Sequence, residues 1–100
     1  MAKPHAPKIT NLAMAAADTE YSVAIPAGTK LLDIQVRDAS VACRIAFETG
    51  KVGTPTNPVW SIHAGQRYTL TTDVWGGKDL TVYAAHDAVT AQVLEIISWS

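Results

Sequence analysis

The residues best equipped for chemistry in this chain are its three histidines, its single cysteine and its nine carboxylates. Their spacing joins none of them into a reacting set. His5, His63 and His86 are too scattered for an H-x-H or H-E-x-x-H arrangement, so no metal is expected. Most carboxylates fall at turns or on outward strand positions, where they solvate and cap. Glu48 and Glu95 stand nearest apolar neighbours, yet no pair can be assigned the separation that glycosidic acid–base work requires. Cys43 alternates with Arg44 within Val41–Phe47 and reads as a buried small hydrophobe rather than a reactive thiol. One cysteine also excludes an intrachain disulfide. There is no G-x-S-x-G, no P-loop and no G-x-G-x-x-G. Gly76-Gly77 reads as a turn, because no helix follows it to hold a phosphate. The expectation is a protein that is not an enzyme and carries no cofactor.

Aromatic rings offer a second kind of chemistry, since β-domains bind sugars by stacking them on exposed Trp or Tyr. Trp75, beside Gly76-Gly77, is the candidate for a loop-tip ring, either as a sugar platform or as an interface anchor. Tyr83 is a further ring to test against glycans. Trp60 alternates with Ser61 and is placed in the core. Trp99 is placed where it docks the end of the chain or a neighbouring subunit.

The elements that must position these residues are strands. Tyr21, Val23 and Ile25 alternate with Ser22 and Ala24. Leu32, Ile34 and Val36 are opposed by Asp33, Gln35 and Arg37. Cys43, Ile45 and Phe47 are opposed by Arg44 and Glu48. Shorter rows follow at Trp60/Ile62, Tyr68/Leu70 and Leu80/Val82. Period-two alternation of this kind predicts half-buried antiparallel strands with one wet face. Turn formers separate them at Pro26-Ala27-Gly28, Asp38-Ala39-Ser40, Ala64-Gly65, Gly76-Gly77-Lys78 and His86-Asp87-Ala88. With Ile9–Met14 the count reaches about eight. Leu12–Ala17 is Ala-rich but too short for a stable helix. The prediction is an all-β antiparallel sandwich or jelly roll, with residues 1–8 as an extended arm and 9–100 as one domain.

An internal echo strengthens it. Ile25-Pro26-Ala27-Gly28-Thr29-Lys30 returns 37 residues later as Ile62-His63-Ala64-Gly65-Gln66-Arg67. Beyond each copy the apolar positions keep the same offset, Cys43 with Leu80 and Ile45 with Val82. A doubled strand–turn–strand–strand unit suits a jelly roll, which contains two Greek keys. His63 stands where Pro26 stands in the other copy, which assigns it a backbone role.

Composition bears on partners. Of 100 residues, 48% are apolar and 17% charged, where about a quarter charged is usual, so the surface is short of charge. Such surfaces are often covered by a partner. A net charge of −1 gives no electrostatic footprint for nucleic acid. No apolar run reaches a membrane span and no signal segment is visible, so a soluble protein is expected.

Three segments are the expected contacts. The first, Met1–Asn11, includes the N-terminal arm with Lys3, Pro4, His5 and Lys8. The loop Lys51–Pro58 carries Pro55 and Pro58. The last strand, Ala91–Trp99, is apolar on both faces: Val93, Ile97 and Trp99 on one, Leu94 and Ile96 on the other. A central strand covered on both sides has this pattern, and so does an edge strand that pairs with another subunit.

The run Ala17-Asp18-Thr19-Glu20-Tyr21-Ser22-Val23-Ala24-Ile25-Pro26-Ala27-Gly28-Thr29-Lys30 resembles a recurrent opening of small tailed-bacteriophage virion proteins. There T-E-Y-S and L-P-A-G-T-K precede a strand ending in Q-x-R, here Gln35-Val36-Arg37. Arg44-Ile45-Ala46-Phe47-Glu48-Thr49-Gly50-Lys51-Val52 is similar to that family's R-x-A-F-x-x-G-x-V. An Ala-Gly turn (Ala64-Gly65), a Leu-Thr-Val-Tyr strand (Leu80–Tyr83) and an acidic, Trp-ending strand (Glu95–Trp99) follow in the same order. The resemblance spans about residues 17 to 99. It implies a capsid decoration (cement) protein of the virion, made in the host cytoplasm. Its partners would be the major capsid protein lattice and itself, as a dimer or trimer, with no nucleic acid and no membrane. A neck, tail or fibre-base component and a carbohydrate-binding module are the alternatives.

Overall fold

The computed structural model of the chain describes residues 7–54, 58–71, 76 and 78–99. Eight strands run in chain order: β1 (Lys8–Met14), β2 (Tyr21–Ile25), β3 (Leu31–Val36), β4 (Cys43–Ala46), β5 (Trp60–Ile62), β6 (Arg67–Thr71), β7 (Leu80–Ala85) and β8 (Gln92–Trp99). They form two antiparallel four-stranded sheets, β1-β8-β3-β6 and β2-β7-β4-β5. Consecutive strands alternate between the sheets from β1 to β4 and again from β5 to β8, while β4 and β5 are neighbours in one sheet, which is the jelly-roll arrangement. Every pairing joins a strand of β1–β4 to one of β5–β8.

The echo is the corner of this fold. β2 crosses to β3 through one copy, and β5 crosses to β6 through the other. Ile25 and Ile62 are both buried just before the turn. Gly28 and Gly65 have φ of 89° and 75°, a region that a side chain disfavours. The Pro26 carbonyl accepts from Thr29 N–H at 3.4 Å, and the His63 carbonyl from Gln66 N–H at 3.0 Å. The strands that follow the corners, β3 and β6, lie side by side in one sheet, and the next pair, β4 and β7, lie side by side in the other.

The core between the sheets holds Met14, Ile25, Leu32, Ile34, Cys43, Ile45, Ile62, Leu70, Val82, Leu94 and Ile96, the inward half of each alternating row. A fully buried side chain of this size contributes about 1.5–3 kcal/mol. The seam beside β5 and β6 is closed by Trp60 and Tyr68, whose rings lie 4.9 Å apart at 43°. Trp60 pairs with Ile45 and so belongs to the inward row, but β5 is an edge strand and the ring stays 38% exposed. It caps the core rather than lying within it.

The row Cys43, Ile45, Phe47 opposed by Arg44 and Glu48 needs correction. β4 ends at Ala46, and Phe47 leaves the sheet 39% exposed. Arg44 does face away from the core, as alternation requires, yet only 8% of it is exposed. The cause is the connection after β4, which folds back over the outer face of its sheet. Val52 in that connection is fully buried against Ala46, Ala85, Val59 and Tyr83. Arg44 Nε donates to the Val52 carbonyl at 2.9 Å, and Glu20 accepts from Thr49 Oγ1 at 3.0 Å and Gly50 N–H at 2.8 Å. The loop is thus held on its own fold.

Candidate functional site: the outer face of the β1-β8-β3-β6 sheet

β8 is a central strand, flanked by β1 and β3, but only its Leu94 and Ile96 side meets the core. Val93, Glu95, Ile97 and Trp99 alternate onto the opposite face and stay half-buried. Register sets their neighbours. Ile97 lies between Ile9 of β1 and Asp33 of β3. Glu95 lies between Asn11 and Gln35, and Gln35 in turn faces Arg67 of β6. Val93 faces Ala13, and Trp99 faces Leu31. The pattern explains the two-sided strand: one apolar row fills the core, and the other lies on an open sheet face.

This face is apolar toward β1 and polar toward β6. Ile9 is 67% exposed beside Ile97. Across the face, Glu95 accepts from Gln35 Nε2 at 3.0 Å and from Arg37 Nε at 2.9 Å. The hydrogen bond from Arg37 first, and that from Gln35 second, hold the Glu95 carboxyl below its ordinary range. Asp33 accepts from the Thr69 hydroxyl. Between these groups runs an open groove of about 200 Å³ lined by Ile9, Asp33, Gln35, Arg67, Glu95 and Ile97.

Chemically, the face sets the apolar pair Ile9 and Ile97 beside polar groups that already have partners. Its carboxylates are engaged by neutral or cationic donors from adjacent strands. Among the described residues, no three of His, Cys, Asp and Glu group so as to hold a metal ion. Among them too, no helix is long and apolar enough to cross a membrane.

The expected contact residues divide. Val93, Ile97 and Trp99 come together on this face. Lys8 opens β1 at its edge, exposed, so the strand begins within the segment expected to be arm. Pro58 lies elsewhere, lining a shallow hollow with Ala46, Glu48 and Lys51. Lys3, Pro4, His5, Pro55 and Trp75 lie outside the described residues.

Other candidates have structural duties. His86 is fully buried, with Nδ1 accepting from Ala88 N–H at 3.1 Å, so Nε2 carries the proton and donates to the Met14 carbonyl at 2.9 Å. Its sequence position marks a turn and gives no sign of this burial. Cys43 is buried, and that burial pushes its thiol up to about 12. Tyr83 is half-buried and packs on the Val52 loop. Ile9 on this face was legible as a strand residue but not as an exposed one.

No protein-family model matches the chain, and no curated protein matches it significantly. Among solved structures it is similar to the solution NMR structure of a de novo designed double-stranded beta-helix. The two share 18% identity and a TM-score of 0.57, over 91% of this chain and 97% of that one. At that identity the likeness concerns the fold alone. By fold, the chain is an all-β sandwich with jelly-roll strand order, eight-stranded among the described residues.

Proposed function

We propose that the chain is a structural protein of a tailed-bacteriophage particle, a capsid decoration protein that binds the head shell and stabilises it by protein–protein contact. The observation that carries this reading is the open face of the β1-β8-β3-β6 sheet, where Val93, Ile97 and Trp99 stand half-buried beside an exposed Ile9. A central strand, paired on both sides, presents these side chains, and a surface ordered before it meets a partner loses less entropy on binding. The ordered motifs between Ala17 and Trp99 supply the kind of partner, through their similarity to virion proteins. On this reading the chain does no catalysis, needs no cofactor and resides in the virion.

The test is co-expression with the major capsid protein encoded in the same genome, followed by sedimentation of the assembled shells. The chain is expected to travel with the shells in fixed proportion and to raise their resistance to heat. Replacing Ile97 and Val93 by Asp should release it while the chain stays folded, since both side chains lie outside the core. Absence of binding to both immature and expanded shells would sink the proposal. A sugar-binding role has one observation in its favour, the partly exposed Trp60 ring. It predicts quenching of tryptophan fluorescence by glycans that is lost in Trp60→Phe.

A further inference from the structure

Among the described residues, the β1 edge of the β1-β8-β3-β6 sheet has no strand beside it. Among these residues β1 pairs with β8 on one side only, so its other side presents a row of backbone donors and acceptors. Among the described residues β1, at seven residues, is the longest edge strand; β2 and β6 have five each and β5 has three. Natural edges are blunted by charge, proline, bulges or shortness. β2 is bracketed by Glu20 and Pro26, β6 begins at Arg67, and β5 is short. β1 also opens on a charge, Lys8 after Pro7, but its six remaining residues, Ile9 to Met14, carry no charge, no proline and no positive φ.

A second observation points the same way. Ile9, 67% exposed, lies at this edge beside Ile97, and Ala13 lies beside Val93. The apolar part of the outer face therefore runs to the edge of the sheet and stops there.

We propose that β1 pairs antiparallel with β1 of a second copy, joining two sheets into one of eight strands, β6-β3-β8-β1-β1-β8-β3-β6. A two-fold axis at Asn11 uses the whole strand. Asn11 then opposes Asn11 of the second copy, Thr10 opposes Leu12, Ile9 opposes Ala13 and Lys8 opposes Met14. Each apolar outward residue meets an apolar one, and no like charges are opposed. The two Asn11 amides face one another with a donor and an acceptor each. The strand is self-complementary in this register, which selects a second copy over a foreign strand. The pairing stands apart from the shell-binding role: it concerns the free protein.

Sedimentation equilibrium of the full chain tests it. The wild type is expected at twice the chain mass. Asn11→Asp sets two carboxylates against each other on the axis, each beside a Glu95, and should run at the single-chain mass with an unchanged circular dichroism spectrum. Mixing it in equal amounts with Asn11→Lys should restore the doubled mass. Asn11→Cys should form an interchain disulfide under mild oxidation, because opposed residues bring their Cα atoms to about 4.5–5.5 Å. Lys8→Cys should not. A wild type of single-chain or trimeric mass, an Asn11→Asp protein as dimeric as the wild type, or equal crosslinking from Lys8→Cys overturns the proposal.

Discussion

Arg44 and Asp18 lie 26 positions apart in sequence, yet the Arg44 guanidinium meets Asp18 Oδ1 at 2.9 Å while its Nε holds the Val52 carbonyl. The same Asp18 donates its backbone N–H to the His86 carbonyl at 2.7 Å and sits at φ 53°. One buried cation thereby ties the β1–β2 and β4–β5 connections to the outer face of the second sheet. Its two partners are unequal. The Asp18 side chain is 58% exposed, so water recovers most of what it loses. The Val52 carbonyl is bonded beneath the loop and has less recourse. Arg44→Ala is therefore expected to cost about 1–3 kcal/mol in urea denaturation. Asp18→Asn, which tolerates the same backbone conformation, should cost less than about 1 kcal/mol. Equal losses from the two would refute this ordering.

His86 makes a comparable link inside the core. It joins the end of β1 to the segment after β7 through two backbone partners, Met14 and Ala88. Leu at this position keeps the bulk and removes both bonds. Each backbone group left without a partner costs about 1–3 kcal/mol. His86→Leu should lower the urea midpoint well beyond any exposed substitution such as Val89→Ala, whose side chain is fully open to solvent.

Glu95 gives the protein an acid limb. Its carboxyl is held below the ordinary range in the folded state by Arg37 and Gln35. A depressed folded value means that the stabilisation is present above the unfolded carboxylate range, around pH 4.3. It is lost as pH falls through the lowered folded value. Glu95→Gln should therefore melt below the wild type at pH 7, with the gap closing in the acid range. Because the groove is open to water the gap will be small, and differential scanning calorimetry at several pH values should resolve it. A gap that persists unchanged in acid would contradict the assignment.

Cys43 should be silent. With its thiol pushed up to about 12, almost no thiolate exists at pH 8, and the side chain is enclosed between the sheets. Iodoacetamide should leave the folded protein unmodified over hours and alkylate it fully in urea, as read by intact mass. Rapid labelling of the folded protein would show that β4 opens locally.

The strands were legible because alternation reports which side of a sheet a residue takes. Tyr21, Val23 and Ile25, or Leu32, Ile34 and Val36, need no tertiary information to declare their faces. Alternation does not report what lies over the outward side. Arg44 points away from the core as its position requires, and it is buried because a loop returns over it; nothing in the spacing of Thr49 to Val52 announces that return. Trp60 shows the complementary gap. Its row was legible, but its exposure depends on β5 lying at an edge, a property of strand order rather than of the strand. The open face around Glu95 combines both cases. Val93, Ile97 and Trp99 were readable as one side of a strand, whereas their meeting with Ile9, Asp33 and Arg67 depends on three pairings across the chain.

Those pairings have a consequence for how the protein is born. Every ladder in both sheets matches an early strand with a late one, so β1 to β4 find no sheet partner among themselves. During synthesis these four segments must wait, alternating and unpaired, until β5 to β8 have been made. The central position of one sheet is filled by β8, the last strand in the order. Folding is then a late event of the whole chain rather than a stepwise accretion of hairpins, and such non-local assembly is slow. For as long as it waits, the nascent chain offers bare strands to its surroundings, and its need for a protected environment is greatest just before β8 is made.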